Sequence, residues 1–412
     1  MKYSLYRRMS KTTMLFLLAF ASVASAGNLT NCEINLPAHP FGIAVSQDQQ
    51  WIFVSLLVGE KGQGPGIAVL QNRAGNIETL RTIPLRSAPG KIVLTHDGGT
   101  LIAAADDTVL FFDTKRLETG ASNPAFQSVS DGPEARSLYL NVTEDDKTLF
   151  VSDEGTQTIT VIDLARIRSL RPDPTAGLRG TNSESGASAA IIGKIPVGIA
   201  PIALTFSKDE RWLFTTSQIA PQAWGWPRVL ERENGRPGQE KVPEGAVVVI
   251  DVAKAKTKPQ ESVVARVPAG GSPVRSVLSP DGRRLFVSAR NSNALLVFDT
   301  KQLINDSNHA TPERIPVGTS PVPAVLVKNG RLALVGNSDR FNTNTEPGST
   351  LTVVDTTRIG TRVNPKIGDI ACGAFPREFY LTDDGQTLFL TNFRSSTLQV
   401  IDVAGPTKFP GM

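Results

Sequence analysis

Six side chains stand just before short apolar runs and are of types that can hold or move charge: His39, Lys91, Glu134, Arg136, Arg275 and Arg377. Arginine grips a carboxylate or an enolate at two points and stays charged throughout, and a lysine adds a compact positive charge. A cationic set suits reactions in which negative charge develops on oxygen, such as lactone hydrolysis, cyclisation or isomerisation. His39 is the one histidine in this set and the candidate general acid or base; beside Pro40 it also reads as a structural residue. His96 falls in a turn and His309 in a polar loop. Taken singly, each Arg or Lys also reads as a solvated loop end, and Glu134 could simply neutralise Arg136. The candidate catalytic residues are therefore His39, Arg136, Arg275 and Arg377, with Lys91 and Glu134 contacting substrate. No serine nucleophile elbow, paired-histidine metal motif or phosphate-cradling glycine loop is present in the sequence, so no metal and no cofactor is expected.

Such residues work together only if something gathers them, and the sequence repeats in a way that does so. An apolar run, a Ser or Thr, a turn with Asp or Gly and a second apolar run recur seven times. The clearest copy is Val274–Ser279, then Pro280-Asp281-Gly282, then Leu285–Ala289. Proline presets φ near the turn value and glycine accepts positive φ, which gives this turn a mechanism. Most copies continue to a third run ending in Asp: Asp113, Asp163, Asp251, Asp299, Asp355 and Asp402. A fourth, outer run follows, as in Thr79–Pro84 and Val263–Pro268. Four short antiparallel strands in a repeat of about fifty residues make one propeller blade. The last copy lacks its outer strand, and Thr30–Leu36 is a spare one at the other end of the chain. Pairing the two closes the ring and leaves no open edge. The expected fold is all-β: a seven-bladed β-propeller over residues 27–405, closed by the N-terminal strand, with a tail at 406–412.

Two repeats, Ser279-Pro-Asp-Gly282 with Leu285-Phe-Val-Ser288 and Leu388-Phe-Leu-Thr-Asn392 with Leu398-Gln-Val-Ile-Asp402, resemble those of the YVTN and lactonase-like β-propeller family. The resemblance spans essentially all of the chain after its leader. It implies the propeller fold, and activities that range from sugar-lactone hydrolysis and muconate cyclisation to binding without catalysis. Asp153, Asn337 and Asn392 occupy the family's Asn slot, where they could ligate Ca²⁺ or brace their hairpins. Asn337 and Asn392 join the substrate-binding candidates.

In a propeller the entries to the inner strands and the hairpins after the second strands open on one face. Blade four carries a long insertion there, between Ser217 and Ala246, with Trp224-Gly-Trp226-Pro227-Arg228. Aromatic residues argue against a disordered segment. Trp224 and Trp226 either cover the funnel or pack their own loop onto the blade. Blade six carries a shorter insertion, Ser338–Ser349, on that face, and Leu164–Ser188 forms a surface loop on the other.

Residues 1–26 read as a secretory leader: Lys2, Arg7, Arg8 and Lys11, the apolar run Met14–Ala21, then Ala24-Ser-Ala26. The expected location is secreted or periplasmic. The leader holds four of the 43 Lys and Arg and none of the 39 Asp and Glu, which leaves 39 against 39. That balance gives no basic face for nucleic acid, and no later segment is apolar enough to insert in a membrane. Cys32 and Cys372, in an exported chain, either pair or are separately buried thiols. Asn28, Asn141 and Asn305 open glycosylation sequons, which count only in a eukaryote. Two functions follow: a small organic ligand (anionic, lactone or polyketide-like) held in the central funnel, with or without turnover by lactone hydrolysis, cyclisation or isomerisation, or a non-catalytic interaction scaffold.

Overall fold

A computed structural model describes residues 32–58, 64–173, 176, 186–231, 241–340 and 349–404. The leader, Asn28, the C-terminal tail and the central parts of the three long loops lie outside the described residues. The chain forms seven antiparallel sheets in sequence order, six of four strands and one of five. The inner strands are Pro40–Val45, Ile92–Leu94, Ser137–Val142, Ile199–Phe206, Pro273–Leu278, Pro321–Val327 and Pro376–Leu381. The ring closes as the spare strand implied: Cys32–Asn35 is the outer strand of blade seven, with Cys32 opposite Val400 and Asn35 opposite Thr397.

Second strands such as Trp51–Leu56 and Leu332–Asn337 are buried along nearly their whole length. A blade is covered on both faces by its neighbours, so its central strands are continuous apolar runs rather than alternating ones. Seven apolar clusters result, one at each blade-to-blade junction; the closing one joins Phe389, Leu398 and Val400 to Ile52, Val54 and Leu70.

The repeated polar residues each have a local task. In the turn after six of the inner strands a Ser or Thr hydroxyl donates to the Asp two residues on, at 2.6 Å: Ser46 to Asp48, Thr95 to Asp97, Thr143 to Asp145, Ser207 to Asp209, Ser279 to Asp281 and Thr382 to Asp384. Each of these carboxylates is held below its usual range, chiefly by that hydroxyl. The Asp ending the third strand caps the turn of helix that follows; Asp113, Asp163, Asp251 and Asp299 each accept the backbone N–H three residues on.

A second device stitches blades together at the channel. Ser55, Thr216, Ser288 and Thr391, on second strands, each accept a backbone N–H of their own inner strand, from Gly42, Ala203, Arg275 and Glu378. Each then donates to a carbonyl of the next blade, on Gly90, Val274, Val322 and Phe41. The Thr391–Phe41 bond, 2.9 Å, crosses the closure.

Cys32 and Cys372 are not bridged. Cys32 is exposed at the start of the closing strand, while Cys372 follows the outer strand Lys366–Ala371 and packs into the junction of blades six and seven. Burial, then the nearby charge of Glu33, pushes the Cys372 thiol up to about 12, so it is a poor thiolate.

Candidate functional site: an unbalanced cation set in the central channel

Six inner strands break register near their start, five after the first residue and blade four after Pro201, leaving extra residues without a partner on the second strand: Phe41-Gly42, Leu138, Ile202-Ala203, Val274-Arg275, Val322-Pro323 and Arg377. In blade two, Gly90 N–H and Lys91 C=O both bond Ala104, the same two-against-one pattern. A bulge re-aims side chains, and here it turns them toward the axis. Aligned on the bulge, the strands give two layers. The upper layer is Phe41, Gly90, Leu138, Ile202, Val274, Val322 and Arg377; the lower is Gly42, Lys91, Tyr139, Ala203, Arg275, Pro323 and Glu378. Gly90 is required where it stands, since a Cβ there would lie 2.4 Å from the Leu138 carbonyl oxygen.

Glu378 organises the lower layer. It is 5% exposed, and its Oε1 accepts from Lys91 Nζ at 2.8 Å and from the Tyr139 hydroxyl at 3.0 Å. Its Oε2 accepts from Arg275 Nε at 3.0 Å. Arg275 Nη2 lies equally close to Oε2 but off the donor axis, and no acceptor takes its hydrogens. Burial alone would raise Glu378, yet Lys91 and Arg275 outweigh it and leave the carboxyl below its usual range. Lys91 likewise ends above its ordinary value, because Glu378 more than offsets burial. One anion thus serves two cations, and the layer keeps one uncompensated positive charge.

The upper layer is apolar except at Arg377. Its guanidinium lies 4.3 Å from the centre of the Phe41 ring and 5.7 Å from that of Phe375, and that of Arg275 lies 5.9 Å from the Phe41 centre. Arg377 Nε is buried with no hydrogen-bond partner, and Arg377 makes no ion pair among the described residues. Burial, then the like charges of Arg275, Arg340 and Arg290, pushes it down to about 9, still above neutral pH. Arg340 and Arg394 also stand about the Phe375 ring, at 5.5 and 5.6 Å. Phe375 itself has a left-handed φ of 58°, a costly state for an aromatic residue and one that clusters at ligand sites.

The remaining candidates are placed as follows. Arg136 and Glu134 are exposed at the rim, with their backbone N–H groups bound by Asp107 at 3.1 and 3.0 Å, so three of the four proposed cations converge. His39 stacks on Phe393, ring centres 4.7 Å apart, and its Nδ1 is 2.8 Å from the Phe393 carbonyl and 3.0 Å from Ser396 Oγ. Trp224 and Trp226 pack against the cluster between blades three and four, with Arg266 5.0 Å over Trp224. Arg228 and Glu244 fasten the same insertion by two hydrogen bonds between their side chains, 3.2 and 2.9 Å, beside two that involve their backbones. Asn337 and Asn392 brace their hairpins: Asn337 donates to Thr350 and Thr352, Asn392 to Thr397 and Gln399. Among the described residues no group of three or more His, Cys, Asp or Glu could hold a metal ion.

No family model and no curated protein matches the chain. Among solved structures 1458 chains match, so the fold by itself selects no activity. One of them is Kuenenia stuttgartiensis hydrazine synthase, 17% identical, TM-score 0.63, covering 90% of this chain and 97% of that one. The chain is a seven-bladed β-propeller structurally like a hydrazine synthase chain; at that identity the likeness shows the fold alone.

Glu378 and Tyr139 are the members of this cluster that reading strand entries for cations misses. The signal was available in the repeat: set on the proline of six inner strands and on Ser137 of blade three, the copies put Lys91, Tyr139, Arg275 and Glu378 in one column and Arg377 in the next.

Proposed function

We propose that the chain is an exported propeller of the YVTN/lactonase-like kind that binds a small organic anion at the upper end of its central channel. The carrying observation is Arg377: a charged guanidinium set in an apolar layer, its Nε buried and without an acceptor. An unpaired buried charge is costly, and a ligand carboxylate or enolate removes that cost. Phe41 and Phe375 flank the guanidinium and favour a flat, conjugated acid over a hydrated inorganic ion. Turnover enters the same reading through charge on oxygen: the oxyanion of an opening lactone, or of a cyclising acid, would lie between Arg275 Nη2 and Arg377 Nε, two donors that lack acceptors.

Calorimetry and thermal shift with benzoate, cinnamate and cis,cis-muconate, and hydrolysis of an aryl lactone, test the proposal. One of these acids should bind and raise the melting temperature, and Arg377→Met should weaken it at least 10-fold while leaving the free protein as stable as before. Equal affinity in Arg377→Met, or no binding by any of the acids, returns the scaffold reading. Lactone hydrolysis lost in Arg377→Met extends binding to catalysis.

A further inference from the structure

We propose that the channel has a second chamber, beneath Glu378, that takes a short-chain apolar monocarboxylate with its head on Lys91. A cavity of about 220 Å³ lies between the inner strands of blades one, two and seven. Ile43, Val45, Val93 and Leu94 wall it, Tyr380 flanks it, and Lys91 lines its upper end where the strand leaves the bulge. Its lower end is framed by the exposed turn residues His96 and Asp383.

Three features set the ligand class. The first is size: the volume equals about seven waters at ~30 Å³ each, room for an acid of roughly eight heavy atoms. The second is lining: Ile43, Val45, Val93 and Leu94 make most of the wall, while the polar side chains Gln47, Thr95, His96 and Asp383 stand at the turn end, so the body of the ligand between that end and Lys91 is apolar. The third is charge. Lys91 has three N–H donors, and one of them is taken, by Glu378 Oε1. The Lys91–Arg275–Glu378 group keeps one excess positive charge, so a monoanion on Lys91 brings it to neutrality. Arg275, whose Nη2 stands by Glu378 Oε2 without a hydrogen bond, has its guanidinium 5.9 Å from the Phe41 ring of the layer above and does not line this cavity, so the two chambers draw on different donors. Asp383, at the mouth, repels an entering anion and keeps the site weak and selective for acids with a long enough apolar chain to gain from the walls.

Titration calorimetry of the mature protein with hexanoate, against 1-hexanol as the neutral match, tests this. Hexanoate should bind at least 10-fold more tightly than hexanol. Val93→Phe fills the cavity and should lose hexanoate at least 10-fold, Lys91→Met should erase the preference for acid over alcohol, and Asp383→Asn should improve affinity about 2- to 3-fold. Arg377→Met should change none of these, which separates this chamber from the upper one; the melting temperature of each variant checks folding. Hexanoate that fails to bind, that binds Val93→Phe as it binds the parent, or that is lost in Arg377→Met overturns the proposal, as does hexanol binding equally well.

Discussion

Glu378 and Asp131 are both buried carboxyls, 5% and 2% exposed, and they are driven in opposite directions. Glu378 sits among Lys91, Arg275 and the Tyr139 hydroxyl, and ionises more readily than a free Glu. Asp131, in the loop after the outer strand of blade two, faces Asp153 across Ser137; burial first, then the Asp153 charge, pushes it up to about 8. Ser137 Oγ contacts both carboxyls, Asp131 Oδ2 closely and Asp153 Oδ1 at 3.1 Å. One hydroxyl proton cannot serve both contacts, and burial raises both carboxyls, so the pair shares a further proton around Ser137. Asp153 also accepts from Thr160, Thr158 and Lys194, which offset part of its own burial. Burial acts alike on Glu378 and Asp131; the charge of the neighbours decides the sign. The channel is built to hold ions, and the junction of blades two and three is built to hold a proton.

The largest test of that contrast is removal of the channel anion. Glu378→Ala strands Lys91 and Arg275 beside each other and should cost about 3–5 kcal/mol in urea unfolding. Glu378→Gln keeps the shape and one of the two acceptor oxygens but not the charge, and should fall between. Asp131→Asn, already neutral in effect at pH 7, should cost far less. Were Glu378→Ala as stable as the parent, the lower layer would not be an ionic network at all.

Acidity separates the two sites next. Below pH ~4, Asp131 is protonated folded and unfolded alike; between about 4 and about 8 only the unfolded chain releases the proton, so stability falls as pH rises, by at most ~1.4 kcal/mol per pH unit, and levels off above. Glu378 runs the other way: its contribution is present above the ordinary Glu value and is lost as pH falls through its lowered one. Stability measured from pH 3 to 9 should therefore lose its alkaline slope in Asp131→Asn and its acid slope in Glu378→Gln. An unchanged alkaline slope in Asp131→Asn would place the proton elsewhere.

Why the blades were legible in the sequence while the channel was only half so follows from the same residues. Strand, turn and cap signals are local: Ser279-Pro-Asp-Gly282 states its turn within four residues, and Asp299 caps the helix that begins at Thr300. Closure was readable because a spare strand and a missing one stand at opposite ends. The cations at the strand entries were visible as a set, but the bulge decides which of two adjacent residues enters which layer, so Arg377 and Glu378 part company after one residue. Arg136 looked equivalent to Arg275 by position, yet it lies before its bulge and faces solvent. Trp224 and Trp226 carried two readings because a loop's direction depends on contacts, here with blade four and Arg266, that lie outside the loop.

The smallest effect asked for is a difference close to zero, and it tests whether the ring is equivalent all the way round. Thr391 joins blade seven to blade one with the same pair of bonds that Thr216 makes between blades four and five. Replacing either by Val leaves a buried N–H and a buried carbonyl without that partner and should cost roughly 1–3 kcal/mol. The closing junction depends on a four-residue strand, Cys32–Asn35, and the other on covalently continuous chain, so they could differ in how cooperatively they open. Seven apolar clusters of similar make-up argue that they do not: the two variants should agree within ~0.5 kcal/mol, and a much larger loss in Thr391→Val would mark the closure as the place where this propeller unfolds first.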